Sequence, residues 1–141
     1  MYMEGKGVTK NAETAVKWFR LSANKGHVWG QFNLGLAYQF GDGVFPDFQK
    51  ALNWFRLAAK QGHGKAQYKL ATFYSFGRGV PQDKIQGYIW AQAAAVNGAK
   101  GAKKLRDALE KKMIDVQLRS AIALARSCIK NKFKNCYPNL I

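Results

Sequence analysis

Acidic residues and cysteines are both scarce in this 141-residue chain. Eight positions are Asp or Glu against 23 Lys or Arg, a formal net charge of +15. That excess favours acidic partners or surfaces without naming one. Two cysteines cannot build a disulfide scaffold, nor supply the four ligands of a structural zinc site. No apolar run reaches the length of roughly 18 residues that a membrane-spanning helix needs. The opening Met1-Tyr2-Met3-Glu4-Gly5 lacks the basic and apolar regions of a signal peptide. What is present is globular: 48% apolar and 13% aromatic residues, in a length suited to a single domain over 1–141 with a modest core.

An internal period organises that domain. Gly5-Lys6-Gly7-Val8, Gly41-Asp42-Gly43-Val44 and Gly77-Arg78-Gly79-Val80 recur every 36 residues. Trp18, Trp54 and Trp90 keep the same interval, as do Gly26, Gly62 and Gly98. Within a unit the apolar spacing is helical: Ala51, Trp54, Phe55, Ala58 and Ala59 form one stripe facing a core. Asp47 and Asp83 stand at helix N-caps, with Pro46 and Pro81 upstream as stops, and Gly62 and Gly98 stand at C-caps. The spacing predicts helices over 11–25, 28–40, 47–61, 64–76, 83–97, 99–112 and 115–131, then a tail over 132–141. The Gly-x-Gly-Val turn joins the two antiparallel helices of each unit. Such pairs are too small to bury their own apolar faces, so they must stack. The expected fold is all-α, a right-handed α/α superhelix with a concave side. The three repeat-locked tryptophans are expected in its core.

Chemistry-bearing motifs are missing. Gly-x-Gly-Val follows a helix and lacks the Lys-Ser/Thr of a phosphate loop. His27 and His63 lie one repeat apart, too far to share a metal, and read as turn or capping residues. No Ser-His-Asp or Cys-His set assembles. The carboxylates read as caps (Asp47, Asp83, Asp115) or intrahelical ion-pair partners (Asp107, Glu110). No enzyme, cofactor or metal site is expected. Cys128 and Cys136, eight apart, would staple the tail to the last helix in an oxidising compartment, and would otherwise be free thiols.

The residues carrying the period resemble the Sel-one-like repeat, a relative of the tetratricopeptide repeat. The matching positions are Leu34-Gly35, Tyr38, Gly41, Gly43-Val44, Asp47, Lys50-Ala51, Trp54-Phe55, Ala58-Ala59 and Gly62. The next unit supplies Ala66, Leu70, Tyr74, Gly77, Gly79-Val80, Asp83, Trp90, Ala94-Ala95 and Gly98. Ala91, Gly87 and Gly30 depart from the pattern, and looser local packing is expected there. The resemblance divides the chain into a partial first repeat (1–26), two repeats (27–62 and 63–98) and C-terminal capping helices (99–131) like those of bacterial members. Tyr2 aligns with Tyr38 and Tyr74, so the chain is expected to begin mid-repeat. Ala15, Trp18 and Phe19 should then be more exposed than Ala51, Trp54 and Phe55, a setting for self-association through the first repeat.

By the same resemblance the function is a scaffold that binds a peptide or partner domain in its concave groove, an acidic one suiting the charge. Carried over residue by residue, that face is Trp29, Phe32, Leu36, Gln39 and Phe40. Its equivalents are Lys65, Tyr68, Thr72, Ser75 and Phe76, then Lys104, Ala108 and Lys111. Phe32 and Tyr68 are alternatively buried between helices. The rival reading is electrostatic binding of nucleic acid or anionic membrane through residues 100–134, where eleven Lys/Arg face three Asp/Glu. Nucleic acid is disfavoured because aromatics do not interleave those lysines. Resemblance to bacterial members favours the periplasm or secretion.

Overall fold

The computed structural model describes residues 5–134 and 136, with side chains from residue 11 onward. Seven helices and no strand occur among the described residues. They are α1 (Gly5–Asn24), α2 (Val28–Phe40), α3 (Phe48–Lys60), α4 (Gly64–Phe76), α5 (Lys84–Val96), α6 (Ala102–Lys112) and α7 (Asp115–Lys130). They fall into two compact units, residues 1–58 and 59–141. In the first, α1 packs on α2. In the second, α5 packs against α4, α6 and α7.

The turn that follows α2 and α4 is made twice with the same bonds. The Asp42 N–H donates to the Ala37 carbonyl (2.9 Å) and the Asp47 N–H to the Tyr38 carbonyl (2.8 Å). One period later, Arg78 donates to Phe73 (2.9 Å) and Asp83 to Tyr74 (2.8 Å). The chain reverses through left-handed residues at Gly41 and Gly43 (φ 69° and 85°) and at Gly77 and Gly79 (φ 72° and 71°). Gly43 is doubly constrained, because a Cβ there would stand 2.5 Å from the Ala12 carbonyl oxygen. The Asp47 and Asp83 carboxylates then accept the Lys50 and Gln86 N–H groups at 3.1 and 3.0 Å, as N-caps do.

Four local expectations change. Helical backbone runs through Gly5–Val8, so the first Gly-x-Gly-Val is not a turn. Residues 8–11 carry no proline, and Asn11 stands where the later units have the capping Asp. With those stops missing, α1 absorbs the modest cost of interior glycine, about 1 kcal/mol each. The N-cap of α7 is Ile114. Asp115 is a first-turn carboxylate near the positive helix end rather than the cap. Glu110 accepts from the Tyr88 hydroxyl of α5 (3.2 Å), while Asp107 pairs with its neighbour Arg106 at 3.0 Å. Finally, the repeat-locked tryptophans are not equivalent. Trp90 is fully buried, Trp54 is half-buried and Trp18 is 66% exposed. In the second unit three helices surround α5, whereas in the first α1 rests on α2.

The departures from the repeat pattern are compensated rather than loose. Gly35 lies under the Phe55 ring, where a Cβ would stand 2.6 Å from Cε1. One period later both residues change together, to Ala71 and Ala91, and both are fully buried. Gly30 and Gly87 likewise leave room for the hydroxyls of Ser22 and Ser75. At the end of α7, the backbone turns through left-handed Lys132 and Phe133, and a disulfide joins Cys128 to Cys136.

Two measurements follow from this packing. Gly35→Ala should destabilise by about 1–3 kcal/mol through overpacking against Phe55. On a Phe55→Ala background the same change should be neutral or stabilising, by up to about 1 kcal/mol of helix propensity. Urea midpoints at the four corners of that cycle measure the coupling, and equal costs on both backgrounds would refute it.

The second concerns His63, the N-cap of α4, whose Nδ1 accepts the Ala66 N–H at 3.1 Å. Burial, then the nearby Lys65 ammonium, hold this imidazole below its ordinary value of 6.5. The native state therefore binds the proton less readily than the unfolded chain. Its contribution is fully present above pH 6.5 and is lost as pH falls through the lowered native value. Urea midpoints should accordingly drop on acidification from neutral pH, and His63→Asn, a cap that does not titrate, should flatten that part of the slope.

Candidate functional site

On α4 the core claims Ala66, Leu70, Ala71, Phe73 and Tyr74, which leaves Phe76 at the helix end 59% exposed. On α6 only Ala102 and Leu109 are buried, so its other face carries Ala108 and the lysines. Between these helices and the start of α5 lies a cleft of about 120 Å³. Its apolar lining is Phe76, Leu105, Ala108 and Leu109. Ser75 and Gln82 add polar atoms, and Lys84 and Lys112 are the charged groups at its edge. The Gln82 side chain donates to the Ser75 carbonyl (2.8 Å) and fixes one wall. The Arg78 guanidinium lies 5.9 Å from the centre of the Phe76 ring. Lys69, further back on α4, is held below the ordinary lysine range by burial and by the charge of Arg78.

Of the residues expected to bind a partner, this cleft brings together Ser75, Phe76 and Ala108. Lys104 and Lys111 are exposed and lie outside its lining. Lys65 is exposed, Tyr68 is half-buried, and Thr72 is half-buried with its hydroxyl donating to the Lys69 carbonyl (2.8 Å). In the first unit Trp29 and Phe40 are 59% and 66% exposed, with Leu36 and Gln39 half-buried. Phe32 is a correction to the expected face. At 7% exposure it belongs to the core, its ring 5.6 Å from Phe55 and edge-on to Trp29 at 6.5 Å. A large ring turned toward α3 gains more from burial than from water contact.

Gln82, Lys84, Leu105, Leu109 and Lys112 were not among the expected residues. One of them was accessible to sequence reasoning: Lys112 lies one period after Phe76, which lies one period after Phe40. The others reach the cleft from a turn, a helix start and a buried stripe, which no repeat-locked residue marks. A second hollow of about 200 Å³, lined by Tyr88, Gln92, Ile122, Ala125, Arg126 and Ile129, opens between α5 and α7. Two of its polar groups, Tyr88 and Gln92, are already engaged. Tyr88 donates to Glu110, and burial, then the Glu110 carboxylate, raises the phenol's pKa; Arg106 donates to Gln92 at 2.7 Å. Among the described residues no group of three or more His, Cys, Asp or Glu could hold a metal. No described helix is long and apolar enough to cross a membrane.

The Sel1 repeat model matches residues 1–27, 30–63 and 64–98. A search of curated proteins finds no match. Among solved structures, one similar chain is a protective antigen present in uropathogenic Escherichia coli strains, displaying an SLR fold. It is 38% identical over 88% of this chain, with a TM-score of 0.82. A Sel1 repeat protein from Oxalobacter formigenes is 35% identical over 64% of this chain, with a TM-score of 0.63. This chain spans 27% and 36% of their respective lengths. The α/α repeat class expected from the 36-residue period is the fold class of these neighbours. Repeat matches over most of the chain, and that likeness in fold, make it a member of the Sel1 repeat family, whose proteins are generally non-catalytic scaffolds for protein interaction.

Proposed function

We propose that this chain holds a peptide or a domain of a partner protein on the exposed aromatic residues of α2 and α4. Phe76 on α4, and Trp29 and Phe40 on α2, are the anchors. Leu36, Gln39, Lys65, Tyr68, Thr72, Lys104 and Lys111 are the flanking contacts. The observation that carries this reading is Phe76, more than half exposed at the edge of an apolar cleft whose charged lining groups are both lysines. Aromatic anchors of this kind dominate interface energies, at about 2 kcal/mol or more on truncation. The Cys128–Cys136 bridge fits an oxidising compartment, periplasmic or secreted.

The test is affinity capture followed by titration of the retained partner. Phe40→Ala and Phe76→Ala should each weaken binding at least tenfold and leave the helical circular dichroism unchanged. Lys104→Ala and Lys111→Ala should mainly slow association and flatten its salt dependence. If the lysine changes abolish binding and the phenylalanine changes do nothing, the chain is instead an electrostatic binder of nucleic acid or anionic membrane.

A further inference from the structure

We infer that the cleft between α4 and α6 seats one aliphatic side chain of an acidic peptide segment, with the peptide's carboxylates against Lys84, Lys112 and Arg78. This rests on the scaffold reading above and adds the chemistry of the occupant.

Size is the first argument. At about 120 Å³ the cleft is somewhat smaller than the roughly 150 Å³ apolar cavity that accepts benzene. It has room for one leucine, isoleucine or methionine side chain, and too little for an indole. Its floor of Leu105, Ala108 and Leu109 rewards burial of such a group and offers a phosphate or sugar nothing.

Charge is the second. Residues 59–134 contain sixteen Lys/Arg and four carboxylates, Asp83, Asp107, Glu110 and Asp115. Asp83 caps α5, Asp107 pairs with Arg106, Glu110 accepts from Tyr88 and Asp115 sits in the first turn of α7. Among the described residues no carboxylate pairs with Arg78, Lys84 or Lys112. Burial, and after it the charge of Arg78, lowers the pKa of Lys69 on α4. Like charges gathered around an apolar cleft, with the local carboxylates committed elsewhere, are complementary to an apolar residue flanked by Asp and Glu. The apolar floor favours a peptide over a nucleic acid, because phosphate contacts would use the lysines and leave the floor exposed.

Fluorescence anisotropy of the full chain tests this with four labelled octamers and a single-stranded oligonucleotide. The first octamer is a Glu/Asp peptide with one central leucine, the second replaces that leucine with serine, the third replaces the acids with lysine, and the fourth replaces them with serine. The first should bind at least tenfold more tightly than each of the others. Ala108→Glu, which puts a carboxylate among the apolar lining of the cleft, should weaken it at least tenfold. Lys84→Glu with Lys112→Glu should weaken it and flatten its salt dependence. Equal binding of the leucine and serine acidic peptides would overturn the proposal, since charge alone would then suffice. An oligonucleotide that binds as tightly, and is indifferent to Ala108→Glu, would overturn it in favour of phosphate recognition. If no octamer binds while Phe76→Ala still costs the captured partner tenfold, the occupant is wrong and the scaffold reading stands.

Discussion

The bond from the Asp47 N–H to the Tyr38 carbonyl, repeated from Asp83 to Tyr74 at the same 2.8 Å, is what the helix pairs depend on. It ties the residue that caps the second helix to the last turn of the first. The bond forms only if the chain reverses within a few residues, and left-handed glycines make that reversal free of Cβ strain. Once it is made, the aspartate is already placed to cap the next helix. Where proline and the capping aspartate are missing, at Val8–Asn11, the backbone remains helical instead. Glycine alone therefore does not dictate the turn. It permits one that the stop signals and carbonyl partners require.

Given that frame, the cores of the two units solve one packing problem differently. The first fills its space with Phe55 over a bare Gly35. The second uses Ala71 and Ala91 and fully buries Trp90 among its neighbours. Close-packed interiors tolerate such exchanges when total volume is kept. The consequence for the second unit lies on the opposite face of α4. Its core is complete without Phe76, so that ring stays at the surface beside the apolar side of α6.

Electrostatics then give that surface its character. Around the cleft, Asp83, Asp107 and Glu110 are spent on structure: a cap, an ion pair to an adjacent arginine, an acceptor for a buried phenol. Lys84 and Lys112 are left to water and to partners. An apolar hollow edged by such lysines distinguishes among anions, because only an occupant with an apolar group to bury satisfies both parts. This is the physical basis on which a scaffold built of common repeats acquires a preference.

The sequence by itself determined the helices, their order and the turn chemistry, because those follow from local rules. Periodic apolar residues, proline stops, aspartate caps and left-handed glycines act within a few residues of one another. It also marked Trp29, Phe40 and Phe76 as aromatics outside the core stripe. What only the tertiary structure decided depends on how many neighbours a residue has. Identical register could not tell half-buried Trp54 from Trp90 in the core, or show that Phe32 turns inward onto Phe55. The cleft was equally out of reach, since Gln82, Lys84 and Leu105 come from a turn, the start of α5 and the middle of α6. A repeat fixes what each residue is next to along the chain, and the packing of helices fixes what covers it.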